Sequence, residues 1–145
     1  MEMIKSELAC LNKKLSNKEE VIELVGDLLY KNGYVTKDYT QSMKERDKLV
    51  STFMGNSLAI PHGTDEGREF ILKSGIAFIQ IPEGVVYTDN GDVVKLVFGI
   101  AGKNDEHLEL LSKIAIACSE VENIERLITA KDLVKVNQIL NENSE

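Results

Sequence analysis

The sequence predicts a single α/β domain in which a mixed β-sheet is sandwiched between helices. Three observations support this fold class. Two segments with apolar residues at helical spacing open the chain, apolar segments typical of strands fill its middle, and three further helical segments close it. Because strands and helices do not alternate strictly, a regular doubly wound sheet is not expected. The length of 145 residues fits one domain, and we expect it to span residues 1–145.

A short strand and a helix are predicted at the start of the chain. Scattered apolar residues over 4–11 indicate the strand. Asn17 followed by Glu20 is a capping-box pattern, in which side chains satisfy free backbone N–H groups at the helix start. Apolar residues at helical spacing follow, and Asn32 and Gly33 end the helix because glycine tolerates the left-handed cap conformation.

A second helix and a loop-rich stretch come next. Thr36 is expected to cap the helix, which continues to about Leu49. Residues 51–63 are rich in loop-forming residues and contain one short extended piece at 58–60. Pro61 biases the residue before it away from helix and restricts its own backbone.

The middle of the chain carries the two clearest strand patterns. The first is GIAFIQI at 75–81, which Pro82 and the residues after it are expected to close. Asn90 and Gly91 then form a turn signal. The second pattern, VVKLVFGIA at 93–101, is nearly all apolar, which is typical of a strand buried on both faces.

Three helices are predicted in the last third of the chain. Asn104 or Asp105 is expected to cap the first of them. The run SEVE at 119–122 is a second capping-box pattern and is expected to open the next helix. Apolar spacing predicts a final helix over about 131–141.

The composition argues against several classes of protein. The formal net charge is −7, from 17 Lys and Arg against 24 Asp and Glu, which disfavours binding to nucleic acid and to anionic lipid. No apolar run reaches the roughly 18 residues that a membrane helix needs. The first residues lack the apolar core of a signal peptide. We therefore expect a cytoplasmic protein with no direct membrane insertion.

Metal sites and common nucleotide or hydrolase sites find little support. Cys10 and Cys118 form no CxxC motif, and we expect both thiols to be reduced. A catalytic zinc usually takes three protein ligands. The two histidines and two unclustered cysteines make a poor ligand set, so no metal is expected. The sequence also lacks the GxSxG, P-loop and GxGxxG motifs.

The most informative segment is GNSLAIPHGT at 55–64, which presents His62 between Pro61 and Gly63. Proline stiffens the chain, and glycine lets another group approach the backbone. A neutral imidazole is nucleophilic and titrates near working pH, so it can hold a phosphoryl group as a phosphoramidate and release it to another nucleophile. From the residues alone, a loop histidine that only hydrogen-bonds a carbonyl stays an open alternative.

Two further residues are candidates for a phosphoryl site. His107 lies in the first turn of a helix after the apolar strand, where free N–H groups and the helix dipole attract anions. There it is expected to stay neutral and to donate to a phosphoryl oxygen, or else to be a surface residue with no role. Arg46 precedes the His62 loop, and its planar guanidinium matches two phosphoryl oxygens. A solvated helix face is the other interpretation of Arg46.

Together these residues resemble a known family. The runs RDKLVSTFMGNSLAIPHGT at 46–64 and LVFGIAGKNDEHL at 96–108 are similar to enzyme IIA of the mannitol/fructose class of the phosphoenolpyruvate-dependent sugar phosphotransferase system. The resemblance covers nearly the whole chain. The run SEVENIERL after Cys118 favours the mannitol-type branch.

The resemblance implies a phosphoryl relay. His62 matches the phosphorylated histidine, His107 the second active-site histidine, and Arg46 the arginine placed near the phosphoryl group. The donor would be the phosphohistidine form of HPr, and the acceptor a cysteine of an enzyme IIB joined to a membrane-embedded IIC. The family fold is a mixed sheet between helices, and neither a metal nor an organic cofactor is implied. The chain would be a separate subunit and, by default, a monomer.

Three other functions stay open on the sequence alone. The nitrogen-related branch of the phosphotransferase proteins shares the histidine motif but acts by binding other proteins. A non-catalytic binding module would carry no acid-labile phosphate on His62. A small hydrolase would consume a model ester, and the missing nucleophile motif disfavours it.

Overall fold

The computed structural model describes residues 3–142, and within this range a five-stranded sheet lies between helices. The strands are β1 Ala9–Cys10, β2 Phe53–Gly55, β3 Leu58–Ala59, β4 Gly75–Val86 and β5 Val93–Ala101. The helices are α1 Lys18–Lys31, α2 Tyr39–Leu49, α3 Glu106–Ala117, α4 Val121–Thr129 and α5 Leu133–Glu142, with 3₁₀ turns at Ser6–Leu8 and Glu66–Phe70. The sheet is mixed, with the strand order β1-β4-β5-β3-β2, so the predicted fold class is confirmed. None of the helices in residues 3–142 is long and apolar enough to cross a bilayer.

Alternation along the two central strands builds two cores. β4 and β5 pair antiparallel, with Phe78 opposite Phe98. On one face of the sheet these two rings are buried together with apolar residues of α3, α4 and α5. On the other face, Ile79 and Val97 are buried with residues of α1 and α2. The nearly all-apolar β5 therefore has a layer of helices on each side, as its sequence predicted.

The ends of α1 agree with the sequence. The Asn17 side chain accepts a hydrogen bond from the Glu20 N–H at 2.9 Å. The Glu20 carboxylate accepts from the N–H of Ser16 rather than from that of Asn17. The second hydrogen bond of the predicted capping box therefore goes to the residue before the N-cap. At the other end, Gly33 has φ +82°, the left-handed conformation that terminates many helices.

The first strand is shorter than predicted, because only β1 of the expected 4–11 pairs with β4. Ile4 is buried in the helical core instead. The Asn137 side chain on α5 accepts from the Ile4 N–H at 2.8 Å and donates to the Ile4 carbonyl at 2.9 Å. A helix side chain thus takes the backbone hydrogen bonds that a strand would have given to the sheet.

Two predicted helix caps are wrong. The Thr36 N–H donates to the Phe70 carbonyl at 2.7 Å, which ties Thr36 to another loop, and α2 begins only at Tyr39. The Ser119 hydroxyl donates to the Ile116 carbonyl at 2.9 Å, so it satisfies the end of α3 rather than capping α4. The Ser119 hydroxyl is thus used by the neighbouring helix, whereas the Thr36 hydroxyl is buried with no hydrogen-bond partner among the described residues and caps nothing.

The starts of α3 and α5 also differ in detail from those predicted. Asp105 holds the N-cap position of α3, as one of the two predicted alternatives, but its side chain makes no capping hydrogen bond. α5, predicted from 131, begins at Leu133 because the Asp132 carboxylate accepts from the Lys135 N–H at 2.8 Å.

β4 continues through Pro82, where the sequence predicts that it ends. The pairing with β5 shifts register between Gln80 and Val85, and Gly84 has φ +80°. Proline has no N–H to give to the ladder, so an irregular stretch of a strand accommodates it. The predicted turn at Asn90-Gly91 is confirmed, with Gly91 at φ +88°.

A hairpin lies inside the stretch predicted to be loop-rich. β2 and β3 pair antiparallel around Asn56 and Ser57, whose φ angles of 51° and 68° are both left-handed. Two-residue turns of this kind match the twist of the strands they join. β3 confirms the predicted extended piece and pairs in parallel with β5. The loops that follow β3 and β5 therefore leave the sheet at the same edge.

Candidate functional site

Two loops at this edge of the sheet bring the two histidines together. His62 follows β3, and its backbone makes a parallel bridge with Ile100 near the end of β5. His107 follows β5 and occupies the second position of α3. The carboxyl ends of strands in an α/β sheet are the usual place for a ligand site. The two imidazole ring centroids lie 5.3 Å apart, with their planes inclined by 59°.

The histidines line a cavity of about 450 Å³. Arg46, in the last turn of α2, lines the same cavity, so the structure brings together all three residues that the sequence singled out. One guanidinium nitrogen of Arg46 donates to the Val50 carbonyl at 2.8 Å, which anchors the side chain to the end of its own helix. A guanidinium and two imidazoles therefore surround a space large enough for a phosphoryl group.

His62 is held as a neutral imidazole with a free Nε2. Its Nδ1 lies 2.9 Å from the Ile60 carbonyl oxygen. Because a carbonyl oxygen only accepts, Nδ1 carries the ring proton and Nε2 keeps its lone pair. Burial lowers the pKa of His62 and the Arg46 charge adds to this, whereas the bond to Ile60 and the carboxylates of Asp47 and Asp65 oppose it. The nucleophilic form therefore dominates at neutral pH.

His107 is kept neutral by similar means. Burial lowers the pKa of His107, a positive charge on His62 when that ring is protonated and the charge of Arg68 lower it further, and Asp65 opposes them. A neutral imidazole has one N–H to donate and one nitrogen to accept. His107 is thus suited to donate a hydrogen bond to an anion in the cavity without adding a full positive charge.

Several other residues that line the cavity were not predicted from the sequence. Tyr39 and Arg46 are seven residues apart on one face of α2, a spacing that is informative once α2 is known to face the site. Arg68 also lines the cavity and pairs with the exposed Asp65 at 3.3 Å, but no motif marks it. Gly102 lies beneath His107, and only the folded chain reveals that contact.

The free energy of unfolding is expected to fall when the pH is lowered from about 7.5 to about 5.5. Histidine in an unfolded chain titrates near pH 6.5, whereas the pKa values of His62 and His107 are lowered in the folded protein. The unfolded state therefore binds more protons as the pH falls. The resulting stabilisation is complete above the unfolded pKa and is lost towards the folded pKa.

Urea unfolding at the two pH values measures this dependence. The chain has two histidines, so a double variant, His62→Gln with His107→Gln, should show a clearly smaller pH dependence. Equal or greater stability of the unaltered protein at the lower pH would contradict the lowered pKa values.

Cysteine and acidic side chains show no metal-binding arrangement in the part of the chain that the structure describes. Within residues 3–142, no three His, Cys, Asp or Glu side chains are grouped closely enough to hold a metal ion. Cys10 and Cys118 are both free thiols. Burial raises the pKa of the Cys118 thiol to about 12, so this side chain is not a reactive thiolate at neutral pH.

The chain is similar to known proteins over nearly its full length. A family model described as the phosphoenolpyruvate-dependent sugar phosphotransferase system, EIIA 2, matches residues 2–143. The mannitol-specific phosphotransferase enzyme IIA component of Bacillus subtilis (strain 168) is 56% identical over 142 residues, which cover 98% of this chain and 99% of that protein.

Two solved structures share the fold. One is the complex of enzyme IIAMTL and phosphorylated enzyme IIBMTL from Escherichia coli, with 37% identity, a TM-score of 0.89 and coverage of 96% of this chain and 97% of that one. The other is the nitrogen regulatory protein IIA-Ntr from Neisseria meningitidis, with 30% identity, a TM-score of 0.80 and coverage of 96% and 97%. With the family model spanning almost every residue and the fold in agreement, this chain belongs to the EIIA 2 family of the phosphoenolpyruvate-dependent sugar phosphotransferase system.

Proposed function

We propose that this protein takes a phosphoryl group from phospho-HPr onto Nε2 of His62 and passes it to a cysteine of an enzyme IIB during mannitol uptake. As an EIIA protein it is a phosphoryl-transfer component of the sugar phosphotransferase system. The observation that carries the residue assignment is the free Nε2 of a neutral His62 in the cavity that Arg46 also lines. The 56% identical mannitol-specific relative supports mannitol, and the Escherichia coli complex supports a IIB acceptor.

The uptake step is a displacement at phosphorus. The Nε2 lone pair of His62 attacks the phosphorus of phospho-HPr, the new N–P bond forms, and the donor histidine leaves with the electron pair of the broken N–P bond. Nδ1 keeps its proton throughout, because the Ile60 carbonyl accepts from it at 2.9 Å. In the second step, a IIB thiolate attacks the same phosphorus and His62 leaves as neutral imidazole.

The cavity offsets the charge that the phosphoryl group brings. A phosphorylated side chain carries about −1.5 to −2 charges at neutral pH. The Arg46 guanidinium supplies a positive charge and paired N–H donors, and His107 supplies a neutral donor. Such donors are in place before the reaction, so they stabilise developing charge without reorganisation.

Replacing Gly102 with Ala is expected to slow phosphoryl transfer by about a hundredfold, because catalytic geometry tolerates little misplacement. A Cβ on Gly102 would lie 2.8 Å from the backbone nitrogen of His107 and 2.6 Å from its Cβ. Backbone atoms cannot rotate away from such a clash, so the first turn of α3 must move. The rate of transfer from phospho-HPr measures the effect.

Gly33→Ala is the matched control for this substitution. Gly33 has φ +82°, and a Cβ at this position would have no neighbouring atom within 4 Å, so alanine there costs stability without touching the cavity. We expect this variant to transfer phosphate at the normal rate. A normal rate in Gly102→Ala as well would contradict the role assigned to the position of His107.

The protein is proposed to act as a single domain over residues 1–145 and as a monomer. The proposed location is the cytoplasmic side of the membrane, where the phosphoenolpyruvate-dependent donors work. Sedimentation of the purified protein at working concentration measures the oligomeric state.

The function is tested by reconstitution with phosphoenolpyruvate, enzyme I and HPr. We expect the intact mass to increase by one acid-labile phosphoryl group, and adding membranes with a mannitol IIB–IIC to produce mannitol phosphate. Phosphorylation without sugar phosphate would favour the nitrogen-related regulatory branch, to which the 30% identical Neisseria meningitidis protein belongs by name. No mass increase with competent partners would overturn the relay and leave a binding module.

A further inference from the structure

The loop that carries His62 lies flush against α2. A Cβ on Gly63 would lie 2.6 Å from the Tyr39 ring and 2.8 Å from the Ser42 hydroxyl oxygen. A Cβ on Gly67 would also collide with the Ser42 hydroxyl. Glycine at both loop positions therefore permits an approach that any side chain would prevent. The contact between α2 and the loop is thus part of how the site is built.

The Tyr39 hydroxyl joins the two halves of the site. It is buried, with a relative exposure of 1% for the residue. The hydroxyl donates to the Ile100 carbonyl at 2.7 Å and accepts from the Gly63 N–H at 2.9 Å. Burial raises the pKa of Tyr39 to about 12, so the hydroxyl keeps the proton that it donates. One side chain therefore connects the His62 loop to the end of β5.

Ile100 anchors the residues on both sides of His62. Its N–H donates directly to the Pro61 carbonyl at 2.9 Å. Its carbonyl reaches the Gly63 N–H through the Tyr39 hydroxyl. His62 is thus held between two backbone anchors that converge on one residue of β5. Two positions further along, Gly102 touches His107, so the same strand end sets the position of the second histidine.

We propose that Tyr39 is a positioning residue, whose hydroxyl sets the placement of His62 relative to His107 and thereby the rate of phosphoryl transfer. The inference rests on the proposed function, in which His62 is the acceptor. Tyr39 acts through Gly63 and Ile100, since the hydrogen bonds of its hydroxyl go to these two backbone groups. Ser42 supports it one turn later, since its hydroxyl oxygen accepts from the Thr64 N–H at 2.9 Å and lies 3.0 Å from the Thr64 hydroxyl.

Tyr39→Phe is the direct test, because it removes both hydrogen bonds and keeps the ring. The rate of transfer at saturating phospho-HPr is expected to fall about tenfold or more, with little change in the phospho-HPr concentration that gives half the maximal rate. NMR titration is expected to show the pKa of His62 rising towards its ordinary value as the loop loosens and admits water.

Tyr87→Phe is the matched control. Tyr87 is 2% exposed, and its hydroxyl lies 2.8 Å from that of Thr52, so this variant also loses a buried hydrogen bond but not one in the His62 loop. We expect normal transfer and a normal His62 titration in Tyr87→Phe. If Tyr39→Phe also behaves normally, or if both variants lose rate in proportion to their loss of stability, the positioning role is overturned.

A second variant and a second readout keep the test decisive. If Tyr39→Phe does not fold, Ser42→Ala is expected to slow transfer and to shift the His62 titration in the same direction, and an unchanged Ser42→Ala protein overturns the proposal. The titrations need no partner protein. If the unaltered protein accepts no phosphate, the proposed function has failed, while the titrations still decide whether Tyr39 positions His62.

Discussion

Replacing His62 with Gln is expected to abolish phosphoryl uptake, with a loss of more than about a thousandfold, as for other removed nucleophiles. His62 supplies the free Nε2, and glutamine offers an amide in its place, which does not attack phosphorus. The measurement is the intact mass after incubation with phosphoenolpyruvate, enzyme I and HPr. The variant should show no added phosphoryl group under conditions in which the unaltered protein is fully modified.

His107→Gln is the control that distinguishes loss of the nucleophile from a general disturbance of the cavity. Both histidines line the cavity, with ring centroids 5.3 Å apart, so a nonspecific disturbance would affect both variants alike. We expect His107→Gln to accept phosphate slowly but to full extent, because it loses a donor and keeps the nucleophile. Full phosphorylation of His62→Gln, with no phosphate on His107→Gln, would show that His107 is the phosphorylated residue and would contradict the role assigned to His62.

Replacing Asp47 with Ala is expected to lower the free energy of unfolding by about 1–3 kcal/mol, the usual cost of leaving a buried hydrogen-bonding group without its partner. The Asp47 side chain is 2% exposed and lies 2.7 Å from the Lys18 ammonium. It also accepts from the Thr52 N–H at 3.0 Å and from the Thr52 hydroxyl at 2.8 Å. Alanine would leave the buried N–H of Thr52 without this acceptor. Urea unfolding at pH 7 measures the loss.

Asp27→Ala is the matched control for the buried pair. Asp27 and Lys31 form an ion pair at 2.9 Å on α1, with side chains 49% and 69% exposed. Exposed pairs one helical turn apart contribute only about 0.3–0.5 kcal/mol. A loss in Asp47→Ala as small as that in Asp27→Ala would contradict the importance of the buried network.

Lowering the pH should weaken the network that Asp47 forms with Lys18 and Thr52. Burial raises the pKa of Asp47, but the hydrogen bonds from Lys18 and Thr52, together with the Lys18 charge, lower it by more. A carboxylate whose folded pKa is lowered contributes stability above its unfolded pKa of about 3.9 and loses it as the pH falls through the folded pKa. The loss of stability at low pH that comes from protonation of Asp47 should therefore be absent in Asp47→Ala.

Local patterns in the sequence predicted much of the fold. The nearly all-apolar run of β5 favours burial on both faces, and the Asn17 cap involves residues only three apart, so both signals are local in the sequence. The same holds for the His62 loop, where proline and glycine on either side of the histidine restrict the backbone locally. These features agree with the structure because their physical causes lie within a few residues.

Predictions failed where the folded chain offered a residue another hydrogen bond or strand pairing than the predicted one. Thr36 and Ser119 both have the chemistry of a helix cap, but Thr36 is tied to Phe70 and Ser119 satisfies the end of α3. Pro82 looks like the end of a strand, but β4 is long enough to absorb it in an irregular stretch. In each case the competing hydrogen bond or strand pairing is formed only in the folded chain.

Motif and spacing were sufficient to predict the fold class, the family resemblance and the choice of His62, His107 and Arg46 as candidates, because these signals are local. That the three side chains line one cavity follows from the folded chain, since the parallel pairing of β3 with β5 brings the loops of His62 and His107 to the same edge and α2 places Arg46 beside them. The fold also establishes which nitrogen of His62 is free and that Tyr39 joins the two loops. Hydrogen bonds between residues far apart in the chain have no signature in spacing, so they are visible only once the chain has folded.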